Sequence, residues 1–444
     1  MDFPLHVEVI QKFSSAYSKE NIVKLLSPYL QSLVAVTPGN SLGKEDFENF
    51  PKIDQHVRSI NFCDVNQYKE CVDMKNTEVR YHVYKLDTVQ CSTDTMEGDN
   101  EEELPAFNCW QLPSEEFVGL WENLIYDVKV KEDTLNFVET TLLFSDKLIN
   151  SKIISWNRVM LLHGPPGTGK TSLCKALAQK LSIRLGHRYS RGQLIEINSH
   201  SLFSKWFSES GKLVLKLFKK IREYLENSEY LVCVLIDEVE SLTHSRTAAF
   251  SGSEPSDAIR VVNAILTQLD QIREYPNVLI LTTSNMTGAI DLAFVDRADI
   301  KQYIGPPSEI AIYQIYLSCI TELMRTDIIS PLVHMFAYKT LEACHFQLNE
   351  STKHSLELLA LSKYSVGLSG RSLRKIPFLA HALFVSSASV SLAVFLSAMK
   401  EAIKKHLADS DVFAQANRLF GTECWGPVTN QAESTVLPFR CDVT

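Results

Sequence analysis

The sequence predicts an α/β protein: a parallel-sheet large subdomain with a C-terminal helical lid, preceded by a small α+β N-terminal domain. Three observations carry this. Short apolar runs at 159–162, 194–197, 231–236 and 278–282 alternate with helical patterns, as in a parallel sheet covered on both faces. A glycine-rich turn, Gly164-Pro165-Pro166-Gly167-Thr168-Gly169, follows the first run and opens a helical segment. From residue 307 to 407 the pattern is almost wholly helical.

In chain order, residues 1–92 form the first unit. Residues 8–33 carry apolar side chains at helical spacing (Val9, Phe13, Ile22, Leu25, Leu26, Tyr29, Leu33), and 77–86 alternate like a half-buried strand. No catalytic constellation appears there. Residues 93–114 begin as a polar, acidic stretch without apolar period and read as a solvated linker. Residues 115–306 hold the α/β subdomain, helical over 115–150 before the first apolar run, and 307–407 form the lid. Within the lid, 378–399 is largely apolar but interrupted by His381 and by Ser386, Ser387, Ser389 and Ser391. That predicts two packed helices rather than a membrane span. Residues 408–444 lack periodicity and predict a poorly ordered tail.

Charge and composition bound the function. Lys and Arg number 44 against 53 Asp and Glu, a net −9 that argues against wrapping nucleic acid non-specifically. An apolar content of 45% rules out disorder throughout. The ten cysteines show no zinc spacing, and the first residues lack a basic or apolar leader pattern. Both point to reduced thiols in a nuclear or cytosolic setting.

Three motifs carry chemistry. Residues Gly164 to Thr171 match G-x-x-x-x-G-K-[ST] in full, between a strand and a helix that continues with Ser172. Glycines let backbone N–H groups face a β-phosphate, and the helix N-terminus adds positive dipole. Lys170 would contact the β- and γ-phosphates, and Thr171 would place its hydroxyl on Mg²⁺. The buried run 231–236 then delivers Asp237 and Glu238 at its end. Asp237 suits the Mg²⁺ shell; Glu238 suits orienting and deprotonating an attacking water. The run 278–282 leads to Asn285, whose amide could bond both the γ-phosphate and that water; a turn asparagine is the plain alternative.

With the arginine region 290–299 and Gly370-Arg371, these segments stand in the order used by AAA+ ATPases, which the chain resembles over 105–407. More narrowly, 195–212, 254–263 and 294–307 closely resemble the pachytene-checkpoint ATPases, also called thyroid hormone receptor-interacting protein 13. That resemblance implies ATP with Mg²⁺, a homo-hexameric ring and nucleotide held between subunits. It implies that Arg297 is the arginine finger, Arg371 the lid's sensor arginine, and residues 1–92 the substrate- and adaptor-binding domain. Its implied clients are HORMA-domain proteins, delivered by an adaptor and converted between closed and open forms. The implied settings are meiotic recombination, chromosome synapsis and the spindle checkpoint, in nucleus, chromosomes and cytoplasm, with no direct nucleic-acid or membrane partner. Many AAA+ proteins carry two arginines in this region, whereas Arg297 stands alone between Asp296 and Asp299. A surface pair with those aspartates is its plain alternative.

Lys205-Trp206-Phe207-Ser208 lies after the second sheet strand, where AAA+ remodellers carry an aromatic pore loop. A planar side chain grips an extended polypeptide by area without reading its sequence; packing of Trp206 into the core is the competing reading. Residues 244–253 suggest a second mobile loop, while Ile259, Val262, Leu266 and Leu269 form a core-facing stripe. A DNA-handling AAA+ loader or helicase is the alternative function; the net charge opposes it, despite Lys219-Lys220 and Lys404-Lys405. A GTP switch would need an Asn-Lys-x-Asp segment, which is missing, and a dead scaffold would have lost Lys170, Glu238 or Arg297.

Overall fold

The computed structural model describes residues 4–33, 35–37, 39, 41–63, 72–74, 77–97, 103–127, 129–150, 152–198, 210–241, 257–285 and 290–420. The N-terminal part comprises β1 (Leu5–Gln11), α1 (Lys19–Ser32), β2 (Ala35–Val36), β3 (Ser41–Leu42), α2 (Pro51–His56), β4 (Val57–Cys63), β5 (Val72–Asp73) and β6 (Val79–Tyr84). Its four-stranded sheet has the order β3-β4-β1-β6, with β1 antiparallel to β4 and parallel to β6. The continuous helix expected over 8–33 is therefore corrected. β1 is a central strand with buried Leu5, Val7 and Val9 alternating with His6 and Glu8, a pattern that a helical window starting at residue 8 cuts through. Phe13, counted in the helical stripe, lies 83% exposed beyond the strand. The helix begins only after Ser18, whose hydroxyl accepts the Asn21 N–H at 3.3 Å as an N-cap. It then buries Ile22, Leu26 and Leu30.

The second sheet is built from β7 (Ser92–Glu97), β8 (Glu103–Leu112), β9 (Val159–His163), β10 (Arg191–Asn198), β11 (Tyr230–Asp237), β12 (Val278–Ser284) and β13 (Ile300–Tyr303). Between these strands run α3 (Leu120–Asn123), α4 (Val130–Asp146), α5 (Lys170–Arg184), α6 (Ser210–Leu225), α7 (Asp257–Ile272) and α8 (Leu292–Arg297). The strand order is β13-β9-β12-β11-β10-β8-β7; the first five strands are parallel, and β8 and β7 are added antiparallel. Successive side chains go to opposite faces. Val232, Val234 and Ile236 pack with Leu217, Ile221, Val262 and Leu266 on one face. Cys233, Leu235, Leu279 and Leu281 pack with Leu173, Leu177 and Leu181 on the other.

The hairpin of β7 and β8 corrects the linker expected over 93–114. Phe107, Cys109, Trp110 and Leu112 are buried in β8, which pairs with β10 from Asn108↔Glu196 to Leu112↔Gly192. β7 is an edge strand held through backbone pairing, including Thr93↔Asn108, so its polar composition gives no sign of a strand.

The lid holds α9 (Glu309–Arg325), α10 (Tyr338–Ala343), α11 (Lys353–Tyr364), α12 (Gly370–Phe384) and α13 (Leu392–Phe420). α12 and α13 are separated at 385–391, where the serines lie. Because α13 runs to Phe420, the poorly ordered tail expected from 408 does not begin there; extending a formed helix costs little even without an apolar stripe. Residues 421–444 lie outside the described residues. Among the described residues, no helix is long and apolar enough to cross a membrane.

Two compact units result, Met1–Ile315 with Val366–Leu373, and Tyr316–Ser365 with Arg374–Thr444. Buried apolar side chains of the second include Tyr316, Ile320, Leu358, Phe395 and Met399. Within the first, a buried ion pair seats the N-terminal sheet on α5. Lys180 Nζ stands 2.7 Å from Glu8 Oε1, 3.2 Å from Cys63 Sγ and 3.5 Å from Glu122 Oε1, with Lys180 and Glu8 each 2% exposed. Burial alone would raise the pKa of Glu8, but the charge and hydrogen bond of Lys180 outweigh it and hold the carboxyl below its ordinary value. Burial likewise opposes the ammonium, yet Glu8 holds Lys180 above its usual range. Burial pushes the Cys63 thiol up to about 12.

Candidate functional site

The site forms where β9, β11 and β12 end. β9 stops at His163, and the loop 164–169 turns into α5. Its backbone demands glycine. Gly164 has φ +144° and a Cβ there would lie 2.1 Å from the Ile304 carbonyl oxygen; Gly169 has φ +92° and a Cβ would meet Tyr126 Oη at 2.9 Å. The Gly164 N–H donates to Ser284 O at 3.2 Å, and Thr168 Oγ1 donates to Pro165 O at 3.0 Å. The loop thus wraps the N-terminus of the 15-residue α5, a natural anion seat.

Lys170 is 5% exposed, and its Nζ donates to Gly164 O at 2.8 Å and Pro165 O at 2.7 Å. Burial lowers its pKa, while Glu240, Asp237 and Glu238 pull the other way. Thr171, in the first turn of α5, donates its hydroxyl to Asp237 Oδ1 at 2.8 Å. Thr283 donates to the same oxygen and accepts the Glu238 N–H at 3.1 Å. Glu238 sits at φ +57°, a left-handed conformation uncommon for a glutamate and a mark of functional sites. Its Oε1 accepts from Asn285 Nδ2 at 3.1 Å, so the ends of adjacent strands bring the acid and the amide together. The Arg371 N–H donates to Gly167 O at 3.1 Å, which places the start of α12 against the phosphate loop.

Lys170, Thr171, Asp237, Glu238, Asn285 and the backbone of Arg371 thus converge. Arg297 does not join them. It pairs with Asp270 and with Ala293 O, rather than with Asp296 or Asp299. Asp299 instead accepts the N–H groups of Asn157 and Val159. Lys205, Trp206, Phe207 and Ser208 lie outside the described residues, as do 244–253.

Two contributors escaped the sequence reading. Glu240 is 8% exposed and its Oε1 accepts the Asn285 N–H at 3.0 Å. The signal available for it was a second acid two places after Glu238. Thr283 bridges Asp237 and Glu238, and only its place near the end of a buried strand could have marked it.

Comparison with known proteins agrees in each segment. Residues 1–89 match the TRIP13 N-terminal domain. Residues 160–306 match the ATPase family associated with various cellular activities, and 308–407 the TRIP13-like AAA+ ATPase lid C-terminal domain. The pachytene checkpoint protein 2 homolog of Gallus gallus is 53% identical over 412 residues, covering 91% of this chain and 94% of that one. The Homo sapiens homolog is 53% identical over 408 residues, with the same shares. The solved structure of C. elegans PCH-2 superposes with a TM-score of 0.73 at 35% identity, over 91% of this chain and 99% of that one. On these likenesses the chain belongs to the pachytene checkpoint protein 2 family of AAA+ ATPases, enzymes that hydrolyse ATP.

Proposed function

We propose that this chain is an ATP-driven protein remodeller that assembles as a homo-hexamer, hydrolyses ATP at the seam between protomers, and pulls on a HORMA-domain client presented by an adaptor. The observation that carries the catalytic part is the convergence of Lys170, Asp237, Glu238 and Asn285 beside the phosphate loop. Loop amides and Lys170 bind the β- and γ-phosphates, with Ser172 following Thr171 at the helix start. The Thr171 hydroxyl and Asp237 carboxylate are hard oxygen donors 2.8 Å apart, a set that fits Mg²⁺. A bound Mg²⁺ would supply charge neutralisation at the phosphates. Glu238 takes the proton of the attacking water, and Asn285, bonded to it, fixes its orientation. Arg297 acts across the seam on the neighbour's γ-phosphate, and Arg371 acts on its own subunit's phosphates.

Trp206 and Phe207, flanked by Lys205 and Ser208, grip the client, and residues 1–92 receive the client and its adaptor. Family membership supports this reading, with meiotic chromosomes and the spindle checkpoint as its setting and nucleus and cytoplasm as its compartments. The test is ATP turnover by the purified chain, with and without a HORMA-domain client plus adaptor, alongside an assay of client conformation. Stimulated turnover with conversion supports the reading; indifference to the client overturns it. Trp206→Ala should stop conversion while ATP is still consumed. Conversion at the parent rate by that variant would remove Trp206 from the pulling role.

A further inference from the structure

The arginine assigned to the seam is already oriented inside its own subunit. Arg297, the last residue of α8, lays its guanidinium against Asp270 near the end of α7. Nε donates to Asp270 Oδ1 at 3.0 Å and one terminal nitrogen, Nη2, to Oδ2 at 2.7 Å, a two-pronged pair. The other, Nη1, donates to the carbonyl of Ala293, one turn back, at 2.8 Å. Asp270 Oδ1 is in turn 3.5 Å from Arg273.

A guanidinium has five N–H groups in a rigid plane. Among the described residues three are engaged, one on each nitrogen. One N–H therefore remains on each terminal nitrogen. With Nε and its flanking donors tied down, these two can serve as a fork for one phosphate oxygen or two. The side chain of Arg297 is 28% exposed, so it has access to a group outside its own subunit.

We propose that Asp270 is a positioning residue for hydrolysis: it fixes the guanidinium plane of Arg297 so that the two remaining N–H groups are presented to a phosphate across the seam. The inference rests on Arg297 acting in trans. Its physical basis is that an arm aligned in advance loses less entropy on meeting the developing charge. A flexible arginine would have to find that geometry at every turnover, whereas a neighbouring carboxylate sets it once.

The experiment compares the full-length chain with Asp270→Asn, Arg297→Ala and the double variant, reading kcat and KM for ATP, assembly by light scattering, and the thermal midpoint. Asparagine matches the volume of Asp270, whose side chain is 34% exposed, so the fold should hold. Asp270→Asn should lower kcat about 10- to 100-fold, with KM, assembly and midpoint little changed. Adding it to Arg297→Ala should cost nothing further, because it acts through that arginine. Parent-like or raised turnover in Asp270→Asn, with Arg297→Ala impaired, overturns the positioning role alone. So does a loss in the double variant that multiplies the two single losses. Full activity in Arg297→Ala instead overturns the seam assignment itself.

Discussion

Glu238→Gln should leave ATP binding intact and lower turnover about 10²- to 10⁴-fold. The change keeps the side chain's shape and an oxygen able to accept from Asn285 Nδ2, now 3.1 Å from Glu238 Oε1. The phosphate loop, Lys170 and the Thr171–Asp237 pair are untouched, so nucleotide affinity should survive. What disappears is the group able to accept a proton from water. The backbone at φ +57° is held by the Thr283 bond and by the ends of β11 and β12, so the substitution leaves the site's frame standing. Equilibrium binding of a fluorescent ATP analogue together with single-turnover hydrolysis checks this. Hydrolysis at the parent rate would show that another group takes the proton.

The second large effect is on stability. Glu8→Ala should destabilise the first unit by about 3–5 kcal/mol, because it takes the nearer, buried carboxylate from a Lys180 ammonium that stays buried, leaving only Glu122 at 3.5 Å. Replacing both, as Glu8→Leu with Lys180→Met, should recover much of that loss, since an apolar pair of similar volume removes both desolvation costs. Thermal or urea unfolding of the two variants decides it. Equal losses in both would mean that packing, not charge, holds the seat.

The pair also sets a pH dependence. Glu8 titrates below its ordinary 4.5 when folded, so its contribution is fully present above that value and is lost as pH falls through the lowered folded pKa. Lys180 titrates above its ordinary 10.5, so its contribution is present below that value and is lost as pH rises through the raised one. Between those limits this pair should add no slope to a stability curve. An unfolding midpoint that responds to Glu8→Ala equally at neutral pH and in strong acid would contradict the assignment.

The site was legible in the sequence where chemistry constrains residue type at fixed spacing. Gly164, Gly169, Lys170 and Thr171 have few substitutes, and the structure gives the reason in a carbonyl 2.1 Å from any Cβ at residue 164. The four central strands were legible because strands buried on both faces are continuous apolar runs. β1 alternates over Leu5, Val7 and Val9, but only Val9 of these falls inside the window 8–33, where it adds to the spacing of the helix that follows. β7 left no trace because an edge strand is held by its backbone. Glu240 and Thr283 left only faint signals and Asp270 none, since their roles depend on partners 45, 46 and 27 residues away. The plain alternative for Arg297, a pair with Asp296 and Asp299, is not what forms; helix geometry turns the guanidinium to Asp270 on α7.

The most direct test of a shared ATP site mixes two inactive proteins. Lys170→Ala lacks the loop lysine but keeps Arg297; Arg297→Ala keeps the loop but lacks the seam arginine. In randomly mixed rings roughly one seam in four joins an intact loop to an intact arginine. ATP turnover should therefore reappear in the mixture although each variant alone is silent. A mixture as inactive as its components, with mixed rings shown to form, would contradict hydrolysis across a protomer seam.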